Sequence, residues 1–202
     1  MTHTTTRTYD SFTHARAVVT ELKAIGLKDD DITVIAHDEH HELDGINATS
    51  PDADSNGVAN GAGIGGLVGG AAGLLAGLGL MAIPGVGPVV AAGWLATTAA
   101  GAATGAVAGA ATGGIVSVMT DNGVDQRDAE TYAEAVRRGA ILISARTEES
   151  TELRVLAIMD RNSPSDLTAR RAWWESDGWS IHDPAAQPYT REQRQKEMQR
   201  WS

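Results

Sequence analysis

The chain has 202 residues, 42% hydrophobic but only 4% aromatic, with 16 basic against 26 acidic side chains, a formal charge of −10 and no cysteine. The absence of cysteine excludes disulfide scaffolds, thiolate metal sites and cysteine nucleophiles, and the excess of acid argues against a nucleic-acid binder, which needs clustered Lys and Arg. The average conceals two materials: residues 55 to 120 carry no charge over 66 consecutive positions, and 18 of the 23 glycines fall between Gly57 and Gly114.

Residues 1 to 10 lack the apolar run and small-residue cleavage site of an export signal, so a cytoplasmic origin is expected. Thr4 to Tyr9 is Thr-rich and reads as a strand. Asp10 or Ser11 caps a helix whose Phe12, Ala15, Val19, Leu22 and Ile25 share one face, and Gly26 closes it. Asp31 to His37 alternates with Ile32, Val34 and Ala36 on one side and Ile35 breaking the pattern, the mark of a strand under that helix. Asp29-Asp30-Asp31 before it reads as a solvated turn rather than an acid/base pair.

Residues 38 to 56 are polar and acidic and read as a linker. His37, His40 and His41 stand among three carboxylates within six residues, which is ligand chemistry suited to zinc or nickel. A solvated acidic linker is the more economical reading, because one flexible run supplies no second layer of hydrogen bonds to orient ligands. No cofactor is expected.

In the uncharged interval Gly61, Gly65, Gly69, Gly73 and Gly77 recur every fourth residue. After the turn Pro84-Gly85-Val86-Gly87-Pro88, the row resumes with Gly101, Gly105, Gly109 and Gly113, extended by Gly93, Thr97 and Ser117. Spacing of four lines these positions along one helical stripe, where missing side chains let backbones approach closely. The expected construction is an antiparallel helical hairpin, Ala62 to Ile83 and Val89 to Met119, turning at Pro84, Gly85, Gly87 and Pro88. Its arms of 22 and 31 residues would be about 33 and 46 Å long, against a bilayer core of about 30 Å. Residues 61 to 79 contain nine glycines, each costing up to about 1 kcal/mol in a helix exposed to water, so either a bilayer or burial in an oligomer must supply the stability. Trp94 suits an interfacial anchor or core packing equally.

Beyond the interval, Asp125 caps a helix carrying Ala129, Tyr132, Ala133 and Val136, closed by Gly139. Ala140 to Ala145 is a buried strand, Ser150 or Thr151 opens a further helix, and Asp166 to Arg170 reads as a last short strand. Residues 184 to 202 read as a mobile tail with a polar helix over Arg191 to Trp201. Excising the hairpin leaves an α+β pattern suited to a ferredoxin-like two-layer sandwich with its helices on one sheet face. The divisions are 1–54 (first part of the domain and acidic linker), 55–120 (Gly/Ala-rich hairpin), 121–180 (second part) and 181–202 (tail).

The run Gly61 to Gly79, the segment Gly77-Leu78-Gly79-Leu80-Met81-Ala82-Ile83-Pro84-Gly85-Val86-Gly87-Pro88-Val89, the later Tyr132-Ala133-Glu134-Ala135-Val136-Arg137-Arg138-Gly139, and Trp174 with Gly178-Trp179 resemble bacterial general stress proteins of the glycine-zipper type, over roughly residues 7 to 180. The resemblance implies a small α+β domain split by a Gly/Ala hairpin and associated with stress responses, with no enzymatic activity to carry over. This chain departs in its Thr-rich first strand and His-rich linker.

No nucleophile elbow or phosphate loop is present, since the G-x-G segments lie inside a continuous Gly/Ala tract. Arg137-Arg138 reads as an exposed helix end that, with Arg146, would meet lipid head groups if the domain sits on a membrane. The expected function is non-enzymatic: homo-oligomerisation through the hairpins in or on the bacterial inner membrane, with the α+β domain cytoplasmic. The alternatives are a soluble cytoplasmic assembly with buried hairpins and a small-molecule sensor.

Overall fold

The computed structural model describes residues 2–37, 79–83, 86–95, 114–187 and 189–201, and mixes helix with strand. The Thr-rich start forms β1 (Thr2–Tyr9), because β-branched side chains suit a pleated surface. Helix α1 (Phe12–Ala24) buries Ala15, Val18, Val19 and Leu22 and ends where Gly26 takes φ +98°. A 3-10 turn at Asp29–Asp31 leads into β2 (Ile32–Ala36), buried at every position.

Here the chain departs from the expected helical hairpin. Gly79–Ile83 forms β3 and Gly87–Ala92 forms β4, paired antiparallel with Gly79 opposite Ala91 and Ile83 opposite Gly87. Gly87 and Pro88 therefore open a strand; Pro84 and Gly85 lie outside the described residues. Pro88 pairs with Ala82 beyond the stretch of β4 that meets β2, which begins at Val90 opposite Ala36. Its missing N–H thus costs no bond on that side. A continuous helix from Val89 to Met119 is ruled out at Gly93, whose φ of +91° lies outside the right-handed helical region.

Helix α2 (Gly114–Asp121) follows, then α3 (Gln126–Arg137), whose cap Asp125 accepts from the Arg127 N–H at 2.9 Å. Strand β5 (Ile141–Glu148) leads into α4 (Glu149–Arg161). The strand expected over Asp166 to Arg170 is instead helix α5 (Leu167–Ser176). Asp166 serves as its cap, accepting from the Ala169 N–H at 3.0 Å, and Leu167, Arg170 and Trp174 recur at helical spacing on the side turned inward. Helix α6 (Arg191–Trp201) closes the described chain.

The sheet order is β1-β5-β2-β4-β3. Strands β1 and β2 both pair antiparallel with β5, so they run parallel to each other with β5 between them and α1 as the connection. With α5 in place of a final strand, β1 stays at the sheet edge, and the β3–β4 pair extends the opposite side.

Both faces of this sheet are covered, which corrects the two-layer expectation. Tyr9, Ile32, Val34 and Ile143 pack with Val18 and Leu22 of α1 and Val155 and Met159 of α4. On the other face Ile35 and Leu142 pack with Val89, Trp94, Leu95, Ile115 and Met119 and with Ala133 and Val136 of α3. Ile35 breaks the alternation because its face is as buried as the one opposite. Thr4, Thr6 and Thr8 of β1 fall on the same face: Thr6 Oγ1 lies 2.9 Å from Ser144 Oγ in a buried hydrogen bond. A smaller cluster joins Ala135 and Ala140 to Trp174.

Candidate functional site

Of the glycines expected to line a helix stripe, Gly61, Gly65, Gly69, Gly73, Gly77, Gly101, Gly105, Gly109 and Gly113 lie outside the described residues. Gly93 is described and does a different job. A Cβ there would stand 1.9 Å from the Ile32 carbonyl oxygen, so this glycine lets the end of β4 cross close over β2. Beside it, Trp94 is 3% exposed and sits in the core. It is not an interfacial anchor; the Arg146 guanidinium lies 4.9 Å from its ring centroid. The Leu95 N–H donates to Thr33 Oγ1 at 3.0 Å and fastens the same turn.

His37 is buried at the end of β2, and His40 and His41 fall outside the described residues. Among the described residues no group of His, Asp or Glu is arranged to hold a metal ion. Nor is any described helix long and apolar enough to cross a membrane.

The densest polar chemistry lies where α3 meets the C-terminal segment. Glu134 is 1% exposed. Its carboxylate accepts from Arg137 Nε at 2.7 Å and from Arg138 Nε at 2.5 Å, and His182 Nδ1 stands 3.7 Å away. Burial pushes the Glu134 pKa up, but the nearby His182 ring, the hydrogen bonds from Arg137 and the charges of Arg137 and Arg138 outweigh it, leaving a value of about 2. Arg137 and Arg138 are therefore tied into the fold rather than displayed at an exposed helix end. Glu197 of α6 accepts from Trp174 Nε1 at 2.7 Å and from Trp201 Nε1 at 3.3 Å, with Arg138 Nη1 at 3.8 Å. Tyr189 adds its ring face to Arg137, 4.3 Å from the guanidinium. Instead of a mobile tail, the end of the chain is a docked helix held by buried charge.

Docking of α6 shapes a cleft of about 420 Å³ at one end of the sheet, lined by Phe12, His37, Ile141, Arg191, Arg194 and Met198 among others. Asp10 at its edge takes both terminal nitrogens of Arg170, one at 2.8 Å. The arginines of this cleft escaped sequence reading although a signal existed. Arg191, Arg194, Gln195 and Met198 stand at i, i+3, i+4 and i+7, one helical stripe, but a mostly polar one that hydrophobic periodicity does not register. Glu134 likewise sits three and four residues before Arg137 and Arg138, the spacing of helical ion pairs.

No family model, curated protein or solved structure matches this chain.

Proposed function

We propose that the protein is a non-enzymatic self-assembly module of the general-stress type, in which a charged α+β body presents two Gly/Ala-rich stretches, 57–78 and 96–113, for packing against other copies. The β3–β4 pairing carries this reading. Because Gly79 lies opposite Ala91, the chain enters β3 and leaves β4 at the same end of the sheet. The stretch before residue 79 thus leaves from β3 and the stretch after residue 95 from a turn beyond β4 that crosses over β2, both at the same end of the sheet. Rows of small residues allow close packing against other copies, which bulky ones prevent.

The body also limits what the second stretch can do. Leu95 and Ile115, which flank residues 96–113, belong to one apolar cluster of the body. Those 18 residues would measure about 27 Å as a straight helix. A segment flanked in this way favours packing alongside other copies over a single crossing of a bilayer. The glycine content still demands dry, close contact, since each exposed helical glycine costs about 1 kcal/mol relative to alanine.

A membrane reading, with the stretches lying in or on a bilayer such as the bacterial inner membrane and the body on its cytoplasmic side, draws support from the 66 uncharged positions. Sedimentation distinguishes the two. In detergent-free buffer the assembly reading expects a particle larger than a monomer that falls apart in the double variant Gly69→Leu, Gly105→Leu, with the circular dichroism of the body retained. The membrane reading expects co-sedimentation with vesicles that resists salt and carbonate. A monomer that ignores vesicles would defeat both.

A further inference from the structure

At one end of the sheet β1 runs out into Asp10, β2 runs out into His37, and β5 begins between them at Ile141. Strand ends rather than ladder meet there, α6 lies over them, and the space enclosed is the cleft of about 420 Å³. That volume falls within the range of small-molecule sites, which combine apolar walls with a few placed polar groups. The apolar wall consists of Phe12, Ile141 and Met198, and the cations are Arg191 and Arg194. Asp10 contributes little net charge, because Arg170 grips both of its oxygens.

The cationic side of this cleft is partly withdrawn from water: Arg194 is 9% exposed, its Nη1 donates to the Tyr189 carbonyl oxygen, and burial draws its pKa below the ordinary arginine value, while Arg191 beside it is exposed. An anion entering the cleft gains charge-assisted bonding to these two guanidinium groups. The molecule as a whole carries a charge of −10, which repels a dianion more than a monoanion. We propose that the cleft binds a small amphipathic monocarboxylate, its apolar chain against Phe12, Ile141 and Met198 and its carboxylate toward Arg191 and Arg194. This site is independent of the assembly reading, since none of these residues lies in the glycine-rich stretches.

The experiment is titration of the full chain with octanoate, followed by calorimetry and by amide chemical shifts. The expected result is saturable binding with shifts centred on Phe12, Gly139, Ile141 and α6. Octanol, which lacks the charge, should bind at least about tenfold more weakly, and Arg191→Gln, an exposed position, should weaken octanoate by a similar factor, roughly the worth of one charge-assisted hydrogen bond. Met198→Trp, which fills the cleft, should remove binding while the melting temperature reports an intact fold. Equal affinity for octanol, indifference to Arg191→Gln, shifts confined to the glycine-rich stretches, or no binding would each overturn the proposal.

Discussion

Glu134 shows how much one buried side chain decides. Its carboxylate is shared by Arg137 and Arg138, whose side chains are 11% and 7% exposed, so a neutral replacement strands two guanidinium groups in a dry setting. Glu134→Gln should cost about 3 kcal/mol at neutral pH, measured by chemical denaturation. The pH dependence has a defined sign. The folded state lowers this carboxyl from 4.5 to about 2, so its contribution is complete above pH 4.5 and is lost as pH falls toward 2. The variant should therefore show a shallower acid limb than the parent over that window, and an unchanged limb would refute the role. Glycine gives a second test at this scale. Gly93→Ala meets the Ile32 carbonyl oxygen at 1.9 Å, while Gly26→Ala at φ +98° meets nothing within 4 Å. Gly93→Ala should cost at least about 3 kcal/mol and Gly26→Ala about 1 kcal/mol, the difference being the clash. Comparable losses in thermal melts would mean that backbone strain alone matters at Gly93.

Helix α6 makes the corresponding case among the elements. Its sequence, REQRQKEMQRW, is polar nearly all round, and an isolated helix of 11 residues is marginal in water. What holds it is its docking, through Glu197 accepting from Trp174 and Trp201 and through Arg200 stacked 3.7 Å from the Trp173 ring centroid. Glu197→Ala should cost about 2 kcal/mol and, in hydrogen exchange, raise the rates over residues 191–201 well above those of α3. Retained protection in α6 would show that the aromatic contacts suffice. The β3–β4 pair teaches the converse lesson. A stretch whose glycine spacing favours helix on one stripe becomes strand once β2 offers an unpaired edge, because a sheet edge supplies hydrogen-bond partners that local propensity does not register.

For the molecule as a whole, the decisive feature is a sheet buried on both sides. In a two-layer sandwich Ile35 would face water and its truncation would be nearly neutral. Here Ile35 is 2% exposed in one cluster and Ile143 is 0% exposed in the other. Ile35→Ala and Ile143→Ala should each cost about 2–4 kcal/mol, and denaturant melts that find only Ile143→Ala destabilising would return the fold to two layers.

Local pattern sufficed wherever an element carries its own instructions. Helix α1 with Gly26 behind it, α3 with the Asp125 cap, the apolar run of β5 and even the span of α6 follow from periodicity and capping over a few consecutive residues. The charge-free interval and its glycine rows are likewise properties of the chain alone. Tertiary structure decided the rest: that Ile35, Thr6 and Thr8 face a second core, that Gly87 to Ala92 is strand, that Asp166 starts a helix, that Trp94 is core, and that Arg191 and Arg194 line a cleft. In each of these the residue's state depends on a partner distant in sequence, an edge to pair with or a face to cover, and a pattern read along the chain contains no term for a neighbour that arrives only on folding.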